Sequence, residues 1–308
     1  MVALLLGFFP LNIEQAQKNT ERGDAFFYDF NPDSWREAYI AYTDAINSHI
    51  RWVDAYAGIV ETCVLLEKFG LMPLYERAKY KVRMEKRYRK MLEINPTSKR
   101  ARRARALYYW YKRDYARARK IARSLVEDYP DGDFEAFVYL LLTNRNPLYD
   151  SYAKRLLQKW LKKSQKFYFY WIKARSYERV QNWATAYRYL QKTLELNPYF
   201  TWGWIEMASV AEKLNFPEER IKLYSQALKT LKPYSNSIFF IFAKMAIFYE
   251  EEGNETLAIK YWQEVVSGLP SYDPYKEYAR KRIARLKSVY LEEAARDLNL
   301  IIKEDSTF

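Results

Sequence analysis

Cysteine and histidine each occur once in the 308 residues, as Cys63 and His49, and glycine only eight times. A single thiol excludes an intramolecular disulfide and any cysteine-rich zinc site. Cys63 sits beside the apolar run VLLEKF and reads as a buried, inert thiol. One imidazole leaves the usual nucleophile–base pairs without partners. His49 lies near an expected helix end, where a cation suits the helix dipole. So few glycines argue against phosphate-cradling loops and tight hairpins. No Gly-rich nucleotide loop, metal-ligand spacing or nucleophile elbow occurs either. The chain is therefore expected to be non-catalytic, with no cofactor, no metal and no small-molecule substrate.

Long apolar runs are also missing. The longest is at the start, MVALLLGFF, too short to span a bilayer. It has no preceding Lys or Arg and no small-residue cleavage pattern after it. We expect a segment at residues 1–12 packed on the first helices of a cytoplasmic protein. The alternative is a truncated or atypical export signal and a cell-envelope location.

What the sequence has in quantity is aromatic residues, 18% of the chain, and cations, with a net charge of +13. The aromatics recur with a period. In Phe167–Pro198, two helix-length segments meet at Gln181-Asn182, and Ala174, Tyr177, Ala186, Leu190 and Pro198 are spaced by 3, 9, 4 and 8 residues. Equivalent units start near Lys99, Phe134, Thr201 and Phe239, so successive starts are 35, 33, 34 and 38 residues apart. Two irregular pairs precede them. One spans Asn12–Ile50, with about three extra residues in its turn. The other, at 51–96, has a lengthened second helix from Pro73 to Ile94 that is expected to project.

This pattern resembles the tetratricopeptide repeat, a helix–turn–helix unit of about 34 residues. The resemblance covers roughly Asn12 to Pro270. It implies an all-α, right-handed superhelical solenoid of about seven repeats over 13–270, with residues 271–308 as a capping helix and tail. It also implies that the first helix of each repeat lines a concave groove. Carried over by position, the groove residues are Arg100, Arg103, Trp110, Tyr168, Trp171, Arg175, Arg179 and Trp202. Trp, Tyr and Arg dominate binding hot spots, so an extended peptide with apolar anchors and acidic groups is the expected occupant. The asparagines of the family's carboxylate clamp are absent from the matching positions of the Phe167, Thr201 and Phe239 repeats, so that activity is not expected.

The charge is concentrated. Residues 77–123 hold 19 Lys and Arg against Glu85, Glu93 and Asp114, a net of +16 that leaves −3 on the rest. At the helical angle of about 100° per residue, Lys79, Arg83, Lys86, Arg87 and Lys90 share one face, with Leu74, Ala78, Tyr88 and Leu92 roughly opposite. In Lys99–Arg113 the repeat register places Arg102 and Arg105 at apolar positions, which calls for an offset of one residue. Such a block fits an acidic protein segment. Nucleic acid, through phosphate contacts and stacking, and an anionic membrane surface are the alternatives. The expected function is thus an interaction scaffold that binds protein or peptide in its groove, an acidic partner at 77–123, or both.

Overall fold

Residues such as Ala174 and Ala186 set the architecture, because a close helix crossing tolerates only a small side chain. In the computed structural model both are fully buried where α9 (Phe167–Glu178) meets α10 (Trp183–Leu196). Beside them the rings of Tyr177 and Tyr189 stack at 5.6 Å. The turn between them uses a left-handed residue and a cap. Gln181 has φ of 57°, and the Asn182 side chain accepts from the Thr185 amide. The same device recurs as Arg113 with Asp114 and as Gly253 with Asn254. A polar side chain there satisfies an otherwise orphaned amide and fixes where the second helix starts.

The structure describes residues 12–143 and 146–288. Among them are seven helix pairs and a further helix at 274–288, with no strand. The pairs preceding α9 and α10 are α1 (Ile13–Phe27) with α2 (Pro32–Ser48), α3 (Val53–Phe69) with α4 (Leu74–Ile94), α5 (Lys99–Tyr111) with α6 (Tyr115–Asp128), and α7 (Asp133–Leu142) with α8 (Ser151–Lys163). Those following are α11 (Thr201–Lys213) with α12 (Pro217–Lys229) and α13 (Ile238–Glu251) with α14 (Glu255–Gly268). The expected repeat starts at 99, 134, 167, 201 and 239 each fall within one residue of a helix start. No described helix is long and apolar enough to cross a membrane. The apolar run at residues 1–9 and the tail beyond 288 lie outside the described residues.

The chain divides into two compact units, 1–71 with 78–232, and 72–77 with 233–308. This differs from the sequence boundaries at 13–270 and 271–308, because the last repeat packs with the terminal helix. In the second unit Trp262 and Val265 of α14 form a core with Ala246 of α13 and Ala279 of the last helix.

In the first unit, Tyr42 of α2 is wedged between Gly23 of α1 and Gly58 of α3. A Cβ at Gly58 would sit 2.8 Å from the Tyr42 ring. α4 is held by its buried side. Tyr80 meets Tyr39 of α2 edge-on at 5.3 Å, and Tyr88 stacks on Tyr108 of α5 at 3.6 Å. The buried stripe is Tyr80, Met84, Tyr88 and Met91. Leu74 and Ala78, expected on the anchoring side, are exposed instead, since the stripe is rotated relative to them. In α5 the stripe runs through Ala101, Ala104 and Tyr108, which is the offset of one residue the charges call for.

Candidate functional site: a closed groove and an open basic face

The turns of the first two pairs end inside the first unit's groove; the α1–α2 turn, 28–31, is no longer than the α9–α10 turn, 179–182, so the extra residues expected in it lie in the helices instead. Phe30, in the α1–α2 turn, has φ of 54° and is 1% exposed. Its ring meets Phe167 edge-on at 5.2 Å, Phe137 at 5.6 Å and Phe200 at 5.9 Å. The next residue fixes the turn. The Asn31 side-chain amide donates to the backbone oxygens of Tyr199 and Thr230 at 3.1 and 2.8 Å, and to the Thr201 hydroxyl at 3.2 Å. The Asn197 amide donates back to the Asp29 oxygen at 2.9 Å. At the end of α3, Phe69 sits against Trp110, Trp171 and Trp202, with ring centroids 6.1, 5.2 and 5.6 Å away. The protein thus supplies its own aromatic anchors to the surface expected to take a partner's.

The groove residues accordingly fall into different settings. Tyr168 and Trp171 are 4% and 0% exposed, so neither offers a surface to a partner. This corrects their assignment as peptide contacts: they are packing residues under Phe30 and Phe69. The Tyr168 hydroxyl donates to Asp133 at 2.7 Å, and burial together with that carboxylate pushes its pKa up. Trp171 donates its ring N–H to Glu206. Trp110 and Trp202 are partly covered by Phe69. Arg175 lies 3.4 Å from Glu206, and Arg179 is exposed. Between them burial, and then the nearby Glu206 charge, raise the Glu178 pKa to about 8.

Arg100 and Arg103 are also interior. Arg103 donates to Glu61 at 2.5 and 3.1 Å and to Glu135 at 3.1 Å. Arg100 donates to Glu61 at 3.1 Å and to the Tyr42 hydroxyl at 2.7 Å, which in turn donates to Asp24 at 2.7 Å. Burial alone would lower both arginine pKa values, yet Tyr42, Glu61 and Asp24 around Arg100, and chiefly Glu61 around Arg103, hold them above the ordinary value. Glu61 is 0% exposed, so this cluster joins α1, α2, α3, α5 and α7 away from water. Nearby cations are engaged too. Lys99 pairs with Glu135 at 3.2 Å, Arg102 with Asp128 at 2.5 Å, and Arg105 donates to the Pro96 oxygen at 3.2 Å. The stretch at 99–105 is therefore a structural ion network, and this corrects the assignment of Arg100 and Arg103 as groove contacts.

The α4 cations differ. Lys79, Arg83, Lys86 and Lys90 are exposed and Arg87 half-buried, with Lys81 and Arg89 exposed beside them. Lys90 pairs with Glu93 at 2.8 Å. Arg83 and Arg87 lie over the rings of Tyr39 and Tyr56, each 5.7 Å from the centroid. Glu85 is occupied by Tyr108 and Lys112. Sequence reasoning found this face but missed the buried acids Glu61 and Glu135 and the half-buried Asp24. Each carries the ordinary sign of a solvated residue, and only their helix positions, facing α5, mark them.

A tetratricopeptide repeat family model matches residues 102–132. Among solved structures, a human IFIT1 dimer with m7Gppp-AAAA aligns with a TM-score of 0.70 at 14% identity, over 92% of this chain and 66% of that one. Yeast Tom70 aligns with a TM-score of 0.60 at 14% identity, over 94% of this chain and 68% of that one. The chain therefore spans about two thirds of the length of each. No curated protein sequence matches it. At such identities the likeness concerns the fold.

Proposed function

Starting from a helical-repeat protein of the tetratricopeptide type, we propose that this interaction scaffold receives an acidic protein partner on the outer basic face of α4. The observation that carries this reading is the division of the cations. Arg100 and Arg103 are neutralised inside the protein and Lys99 and Arg102 are paired with carboxylates nearer the surface, whereas Lys79, Lys81 and Lys86 face solvent with no ion pair among the described residues. An exposed cluster of one sign steers complementary partners and speeds their encounter. Peptide binding in the first unit's concave groove is less favoured, because Phe30 and Phe69 cover Tyr168 and Trp171, the aromatic anchors expected to receive it.

The second reading is nucleic acid on the same face. It draws on the IFIT1 likeness, whose structure contains a capped RNA. It is less favoured because the aromatic rings nearest the face are not available for stacking: Tyr39 and Tyr56 are buried under Arg83 and Arg87, and Tyr88 and Tyr108 against each other. The test is recovery of bound protein by the full chain and by its K79E/K86E/K90E variant, with and without nuclease. Binding that survives nuclease and is lost in the variant supports the acidic-protein reading. Loss after nuclease supports the second reading, and binding unchanged in the variant refutes both.

A further inference from the structure

The outer face of α4 is more than a row of charges. Around the helix its outermost line contains Val82, 71% exposed, with the exposed Ala78 one turn before it. Lys79 and Lys86 lie on one side of this apolar ridge, Arg89 continues its line, and Glu85, held by Tyr108 and Lys112, lies on the other side. On the flank towards α2 and α3, Arg83 and Arg87 are one turn apart. Each is laid across a tyrosine ring rather than a carboxylate. A guanidinium positioned over a ring is not neutralised by it and has already lost part of its rotamer freedom, so pairing it with a carboxylate costs less entropy.

These features have a definite complement. We propose that the outer face of α4 docks an amphipathic acidic helix, with apolar side chains on the Ala78–Val82 ridge and carboxylates along its flank reaching Lys79, Lys86 and Arg83. This deepens the acidic-partner reading above and rests on it. A purely electrostatic face would accept any flexible polyanion equally. A ridge with flanking cations accepts a partner whose apolar and acidic residues alternate with the helical period. The partner is placed by charge complementarity: the face carries Lys79, Lys81, Arg83, Lys86, Arg87 and Arg89 against two acids that are already engaged, Glu93 by Lys90 and Glu85 by Tyr108 and Lys112.

The experiment uses the full chain and two fluorescent peptides of identical composition, rich in Leu and Glu. One places Leu on a single helical face and Glu on its flanks; the other is scrambled. Anisotropy titrations at low salt are expected to give at least tenfold tighter binding of the patterned peptide, or about 1.4 kcal/mol. Val82→Ser is expected to abolish that preference while leaving the scrambled peptide's affinity unchanged, since an exposed valine is not needed for folding. K79E/K86E is expected to weaken both. Equal affinity for the two peptides, or a preference that persists in V82S, overturns the ridge proposal and leaves the acidic-partner reading standing. Failure of both peptides to bind overturns both together.

Discussion

Truncating Phe30 tests whether the first unit's groove is occupied by its own chain. The ring is 1% exposed and lies against Phe137, Phe167 and Phe200 from three successive repeats, with Trp35 on its own helix pair 5.6 Å away. Deleting a buried phenylalanine ring typically costs about 3–5 kcal/mol, because the cavity collapses only in part. Here the rings come from separate helices, so collapse requires repeats to move together, and about 4 kcal/mol is expected for Phe30→Ala.

The backbone adds a sharper criterion. With φ of 54°, residue 30 is in the left-handed region, where any side chain carries about 1 kcal/mol or more of strain. Alanine keeps that strain and glycine relieves it. Phe30→Gly is therefore expected to lose less than Phe30→Ala, by about 1 kcal/mol, against the usual order at extended or helical positions. Urea unfolding followed by tryptophan fluorescence measures both. For a unit of this size about 4 kcal/mol corresponds to a drop in Tm of about 10 °C. A loss below about 1 kcal/mol for F30A, or F30G less stable than F30A, would refute the plugged groove and return it to peptide binding.

The remaining predictions concern charge. Glu61→Ala leaves Arg103 and Arg100 buried without their main acceptor and is expected to cost about 3–5 kcal/mol in the same urea assay; a loss typical of a surface residue would show that Asp24 and Glu135 suffice. The Glu178 pKa is raised to about 8, so its protonated form favours the fold: that contribution is full below the ordinary glutamate value and is lost as pH rises through about 8. Thermal stability is thus expected to fall between pH 5 and 8, and Glu178→Gln to flatten part of that slope. An unchanged slope removes Glu178 as the cause. Like charges along α4 repel, so moderate salt is expected to raise the Tm, and K79E/K86E to reduce that rise; an identical salt response in the variant would place the repulsion elsewhere.

The fold was legible where it rests on local spacing. Ala174, Ala186 and the repeat starts are read from periodicity, and the 21-residue α4 from the distance between Pro73 and Asn95-Pro96. The groove's state was not. The α1–α2 turn is as long as the α9–α10 turn, so its length marks nothing, and Asn31 reaches its acceptors at Tyr199, Thr201 and Thr230 across sequence separations of 168, 170 and 199 residues. No local pattern encodes such a contact. Position within the repeat showed that Tyr168 and Trp171 point to the groove; it did not show what else is there. For Arg100 and Arg103 the direction was likewise informative, while their partners lay on helices 32 to 76 residues away, from Glu135 to Asp24.

Acid inventory links the closed groove to the open face. The chain outside 77–123 has a net charge of only −3, so acids placed against α5 are not available to α4. Asp24, Glu61 and Glu135 face arginines from α5, where an unpaired guanidinium is costly to bury and their placement is therefore constrained. The α4 cations are bound by no such requirement, because water solvates them at little cost. A side chain that folding does not need to neutralise is free to be matched by another molecule. The same block of sequence thus serves two ends: Arg100 and Arg103 hold helices together from within, and the α4 cations stay charged because nothing inside the protein has to answer them.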